Sequence, residues 1–211
     1  MIVATAGHVD HGKTSLVRAL TGIAGDRLPQ EQQRGMTIEP GFAHADLGAG
    51  PIDFVDLPGH ERFVRHMLAG IGAGDAALLV VAADDGPMPQ TREHLAVLDL
   101  LGLGHGIVVL TKIDRVPPER IEQVRREVAE LLADTTLAGA AILPISATHG
   151  DGLDTLRAAL LGLQRTVPSR AAGAHARLAL DRSFVRPGAG LSVAGTLLSG
   201  RVTVDDELVA L

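Results

Sequence analysis

The stretch "IVATAGHVDHGKTSLVRAL", residues 2–20, passes from a short β-branched run into an amphipathic helical pattern through a loop with a glycine at each end. Gly7-x-x-x-x-Gly12-Lys13-Thr14 fits a phosphate-binding loop in the context that motif requires, a strand before and a helix after. Backbone N–H groups of the turn and of the helix N-terminus then face the β- and γ-phosphates of a nucleotide. Lys13 neutralises their charge, and the Thr14 hydroxyl can ligate Mg²⁺. Gly7, His8, Val9, Asp10, His11, Gly12, Lys13, Thr14 and Ser15 are therefore the candidate phosphate contacts. His8 and His11 are not read as metal ligands, because the Gly-Lys-Thr that follows accounts for the loop better. Alone, the loop indicates a nucleoside triphosphate and leaves the base open.

A strand-to-helix loop of this kind belongs in an α/β sheet, and the rest of the chain alternates accordingly. Strands are predicted at Ile2–Ala6, Gly41–Asp46, Ile52–Asp56, Ala76–Ala82, Gly106–Leu110 and Ala141–Ile145. Helical patterns fall near 13–21, 61–70, 90–101, 117–132 and 152–162. In the fourth of these, Ile121, Val124, Val128 and Leu131–Leu132 share one face behind a pair of prolines. An open, mostly parallel sheet with helices on both faces is expected, its functional loops at the carboxyl ends of the strands. Apolar residues at 46% suffice for its core, although aromatics are only 2%. The longest apolar run, Ala76–Ala83, is eight residues, which is a buried strand and not a membrane span. A net charge of −6 excludes a chain that is basic overall for nucleic acid, and with no Cys there is neither a disulfide nor a thiolate metal site.

Three domain assignments follow: a nucleotide-binding domain over 1–165, a Pro/Ala/Gly linker over 166–175 and the beginning of an antiparallel β domain over 176–211. The chain stops within what reads as a strand, so a longer parent protein is expected. "MIVATAG" lacks a charged leader region, so no signal peptide is expected.

The base is indicated by "TKID", Thr111, Lys112, Ile113 and Asp114, after the fifth strand. A carboxylate in the plane of guanine accepts from N1–H and from the 2-amino group, whereas adenine offers neither donor. The Lys112 stem can lie over the purine. The usual G-protein form is Asn-Lys-x-Asp, and Thr111 departs from it. "SATHG", from Ser146 with Ala147, follows the next strand and resembles the loop whose backbone reads guanine O6. In "DLPGH", Asp56 is placed to hold Mg²⁺ through water and Gly59 to give its N–H to the γ-phosphate. His60 falls where a signalling G protein carries the Gln that orients the attacking water. "RGMTI" supplies Thr37, a further Mg²⁺ hydroxyl in the GTP state. The remaining histidines, His94 among them, are read as surface or packing residues.

In this order, "GHVDHGKT", "RGMTI", "DLPGH" and "AADDGPMPQTREHL" resemble the translational GTPases across the first domain. "GAGLSVAGTLLSG" resembles the start of their second, β-barrel domain. Within that superfamily the chain is most similar to the selenocysteine-specific elongation factors of bacteria. The short "TGIAGDRLPQEQQRGMTIEPG", the "TKID" variant and "LALDRSFVRPGAG" carry this likeness. The resemblance implies a P-loop GTPase domain followed by the start of a β-barrel, with GTP/GDP and Mg²⁺ as cofactors. It implies delivery of selenocysteinyl-tRNA to the ribosome, a cytoplasmic location and no membrane partner. It further implies that His60 orients the hydrolytic water behind an apolar gate of Val9 and Met36. Asp10 would assist through a monovalent cation, and Asp181 and Arg182 would line the aminoacyl pocket. An mRNA hairpin would be bound only by C-terminal modules absent from this chain. Two rivals stay open: an elongation factor Tu-like GTPase for standard aminoacyl-tRNA, and a GTP-gated protein-interaction module without tRNA.

Overall fold

The computed structural model describes residues 1–23, 40–59, 67–68, 71–72, 74–168, 173, 175–188 and 190–209; at 181 and 182 the description is of the backbone. The chain divides into two compact units, Met1–Val167 and Pro168–Leu211.

The first unit is built on six strands in the order β2-β3-β1-β4-β5-β6. These are β1 (Ile2–Ala6), β2 (Gly41–Asp46), β3 (Pro51–Asp56), β4 (Ala76–Ala82), β5 (Gly106–Thr111) and β6 (Ala141–Pro144). Only β2 runs antiparallel, paired to β3 through a tight turn; every other pairing is parallel. Four helices are described: α1 (Lys13–Thr21), α2 (Pro89–Leu100), α3 (Pro118–Leu132) and α4 (Leu153–Thr166). The helical pattern near 61–70 lies largely outside the described residues.

β4 shows why its sequence is apolar without alternation. All seven of its residues are buried, because helices cover both faces of the sheet. Ala77, Leu79 and Val81 pack with Leu95 and Leu98 of α2 and with Val124, Val128 and Leu132 of α3. Ala76, Leu78 and Val80 pack on the other side with Leu16, Val17 and Leu20 of α1 and with Leu156 and Leu160 of α4. The strand period of two thus feeds two separate cores from one continuous run. The α3 face expected from sequence has this partition: Val124, Val128 and Leu132 are buried, and Ile121 and Leu131 flank them half-covered.

The second unit contains an antiparallel pair, β7 (Arg177–Arg186) and β8 (Gly190–Ser199). Its register shifts between Leu180 and Arg182, so Asp181 is the extra residue of a bulge. Leu180, Phe184, Val185, Leu191 and Val193 are exposed. Such a two-stranded sheet fits the start of a β-barrel domain. No helix among the described residues is long and apolar enough to cross a membrane.

Candidate nucleotide-binding site

The loop between β1 and α1 is fixed at its first residue. Gly7 has φ 129°, and a Cβ there would stand 2.1 Å from the Val80 carbonyl oxygen of β4. Only glycine lets the chain pass so close to the neighbouring strand. Its N–H donates to Nδ1 of His94 on α2 at 3.0 Å, and its carbonyl accepts from Lys13 Nζ at 3.0 Å. Lys13 also donates to the His8 carbonyl at 2.7 Å. Further along, Asp10 takes a left-handed φ of 62°, a conformation that costs a non-glycine residue energy and is typical of ligand-gripping loops. Burial draws the Lys13 ammonium down to about 8, while Asp56 and then Asp10 favour its charged form. A bound polyphosphate would add to that favourable side.

Asp56 ends β3 beneath the loop. It is buried and accepts from Thr5 Oγ1 at 2.9 Å through one carboxylate oxygen and from Thr14 Oγ1 at 2.6 Å through the other. Thr5 is itself held in place, since its hydroxyl accepts the Leu57 N–H at 3.0 Å. A hydroxyl and a carboxylate side by side at the start of a phosphate-binding helix are the hard oxygen donors that Mg²⁺ takes beside phosphates. Gly59 lies directly against the loop: an added Cβ would sit 2.6 Å from Lys13 Nζ and 2.7 Å from the Val9 nitrogen. Backbone amides of the 7–14 segment and of Gly59 therefore share one small region, which suits an anionic ligand.

The second half of the site comes from the ends of β5 and β6. Thr111, buried, donates its hydroxyl to the His11 carbonyl at 2.7 Å. The departure from Asn thus has a structural role, a short tie between the "TKID" segment and the crest of the phosphate loop. Lys112 is left-handed at φ 57°, and its ammonium reaches Asp84 at 3.3 Å and Asp85 at 3.7 Å. Asp114 is held below the usual carboxylate range, chiefly by a hydrogen bond from the Ser146 side chain, with His149 and Arg115 contributing charge. Ser146 is buried, and its hydroxyl also accepts the His149 N–H at 3.1 Å, which folds the "SATHG" turn beside Asp114.

Three histidines crowd the loop. His8 and His11 meet edge to face with ring centroids 4.9 Å apart, and His11 Nε2 lies 3.8 Å from an Asp85 oxygen. His11 and His94 are both buried, and both are drawn down to about 4. Burial is the main cause in each, followed by the charge of His8 for His11 and of Lys13 for His94. Both rings hold a proton less tightly folded than unfolded, so unfolding takes up protons between about pH 6.5 and pH 4. Stability is therefore full above that window and falls as the pH drops through it. Urea midpoints at pH 7 and pH 5 check this: the midpoint should be lower at pH 5, and the difference smaller in His11→Asn/His94→Asn. Equal acid sensitivity of parent and double variant would contradict it.

Of the residues singled out from sequence, Gly7 to Ser15, Asp56, Gly59 and Thr111 converge around the loop, with Ser15 on the exposed side of α1. Lys112, Asp114, Ser146 and Ala147 form the adjoining lobe. Met36, Thr37 and His60 lie outside the described residues, and so do the side chains of Asp181 and Arg182. His94 and Thr5 were not anticipated. His94 was expected at the surface or in packing; the structure buries it beside Gly7. Its signal was the helical spacing of Thr91, His94, Leu95 and Leu98, which form the buried face of α2.

A six-stranded doubly wound sheet with a glycine-lysine-threonine loop at the end of its first strand defines a phosphate-loop nucleotide-binding domain. Residues 1–166 match the family model of the elongation factor Tu GTP binding domain, and the chain belongs to that family. It is 53% identical over 211 residues to the selenocysteine-specific elongation factor of Escherichia coli (strain K12), covering 99% of this chain and 34% of that protein. The crystal structure of a bacterial selenocysteine-specific elongation factor, EF-Sec, superposes with a TM-score of 0.91 at 39% identity, over 95% of this chain and 34% of that one. Elongation factor SelB of Methanococcus maripaludis, solved with the GTP analogue GppNHp, gives 0.85 at 34% identity, over 98% and 43%. The chain spans about a third of the length of the selenocysteine-specific relatives it matches.

Proposed function

We propose that this chain is the GTP-binding and GTP-hydrolysing part of a cytoplasmic factor that delivers selenocysteinyl-tRNA to the ribosome. The observation that carries this reading is the likeness to selenocysteine-specific elongation factors, which runs through both units and not through the GTP-binding domain alone.

Gly7 to Ser15 cradle the phosphates, with Lys13 opposing their charge and the loop amides donating to their oxygens. Thr14, Thr37 and Asp56, the last through water, would hold Mg²⁺, which neutralises charge on the β- and γ-oxygens when bound. Asp114 selects guanine; Lys112 lies over the ring, and Ser146 and Ala147 face O6. Gly59 gives its N–H to the γ-phosphate and Thr37 its hydroxyl to the same Mg²⁺, so departure of inorganic phosphate removes the Gly59 contact and releases the flanking segments. His60 orients the attacking water when the ribosome engages, and Val9 and Met36 keep that water out beforehand. Asp10 assists through a monovalent cation.

Asp181 and Arg182 contribute to the aminoacyl pocket. A selenol is largely ionised at neutral pH where a serine hydroxyl is not, so an arginine nearby separates the two by charge. Protection of the ester bond of selenocysteinyl-tRNA against hydrolysis, measured with the full-length protein and GTP, tests the delivery role. Slower ester loss with GTP than with GDP is expected. Identical rates with and without the protein would contradict it.

A further inference from the structure

We propose that His94 is a positioning residue of the nucleotide site: its Nδ1 accepts the Gly7 N–H and sets the direction in which the phosphate loop leaves β1. The inference rests on the reading that this loop binds GTP and GDP, and it adds a residue that touches neither nucleotide nor metal.

Three observations carry it. The Gly7 N–H is buried and donates to His94 at 3.0 Å, from an element 87 residues away in sequence. The Gly7 backbone is pressed against β4 so closely that a Cβ would overlap the Val80 carbonyl. The Gly7 carbonyl is taken by Lys13. One residue is thus gripped from α2 at its N–H, from β4 along its backbone and from α1 at its carbonyl. With φ at 129°, far from helix and strand, the orientation of this first peptide governs where the amides of the following residues point. The ring must be neutral to accept, and burial with the Lys13 ammonium nearby keeps it so. Without the acceptor a buried N–H is stranded, and a loop that must present several amides to phosphate loses its preset geometry.

Dissociation of fluorescent GDP from the intact protein, chased with unlabelled GDP, tests the tie. His94→Phe keeps the ring volume without an acceptor; His94→Asn leaves a cavity but offers an amide oxygen near the Nδ1 position. Release should be roughly tenfold faster in His94→Phe, as expected for one buried donor left unpaired. In His94→Asn it should stay within about threefold of the parent. A packing role gives the opposite order, with Phe near the parent and Asn worst. Parent-like release from His94→Phe, or release from His94→Asn as fast as from Phe, would overturn the proposal. Should His94→Phe not fold, the ¹⁵N spectrum of the parent's histidine rings decides. A bare, hydrogen-bonded Nδ1 with the proton on Nε2 is expected, and a protonated Nδ1 would overturn the tie. A parent that holds no GDP would instead strike the reading of the loop, and the ring spectrum would still judge the tie.

Discussion

Asp114→Asn is expected to lower GTP affinity by roughly a thousandfold or more, the scale on which a site built for particular donors rejects a mismatched partner. A carboxylate in the plane of guanine accepts twice, from N1–H and from the 2-amino group, and its charge strengthens both bonds. Asn can accept only through one atom, and its own amide then confronts a donor. The hydrogen bond from Ser146 further favours the ionised form of Asp114. Xanthine has an oxygen where guanine has the 2-amino group, so the same change should raise affinity for xanthosine triphosphate. Calorimetric titration of both nucleotides into parent and variant measures the exchange. Unchanged GTP binding by Asp114→Asn would remove Asp114 from base recognition.

His60→Ala should abolish most ribosome-stimulated GTP hydrolysis, by roughly a hundredfold or more, while GTP affinity stays near the parent value. The separation follows from the division of labour around the loop. Affinity is assigned to Lys13, the amides of the 7–14 segment and Asp114, and the water to His60. It follows Gly59 directly in sequence, the residue whose backbone lies against Lys13 and Val9. Single-turnover hydrolysis with and without ribosomes, beside equilibrium GTP binding, distinguishes the two effects. Equal stimulated rates in variant and parent would refute the role.

The sheet was legible because its sequence signals are local. The eight-residue apolar run became β4, buried on both faces, and the "VPPERIEQVRREVAELLAD" periodicity became α3. The last helical pattern was read only as far as Gly162. That glycine sits inside α4 instead, since Leu160 and Leu163 pack on either side of it, and the helix ends at Thr166, before Val167 and Pro168. In the site, motifs pointed to the residues proposed to meet a ligand, because glycine spacing and a lone carboxylate carry chemistry by themselves. They did not reveal the residues that hold those in place. His94 and Gly7 meet only once α2 has packed beside β1 and β4, and no spacing along the chain encodes that contact. Thr111 shows the same limit from the other side. As a motif letter it looked like a weakened asparagine; in the fold its hydroxyl binds the His11 carbonyl at 2.7 Å.

A GTP-dependent carrier specific for selenocysteinyl-tRNA should separate selenocysteinyl-tRNA from seryl-tRNA on the same tRNA body in equilibrium binding. The full-length protein should be titrated with each in the presence of GTP. Binding of the selenocysteinyl form at least roughly a hundredfold tighter is expected, the effect of one desolvated charge contact. Equal affinity for the two would rule out that specificity and leave a GTPase of the elongation factor Tu type without selenocysteine selection.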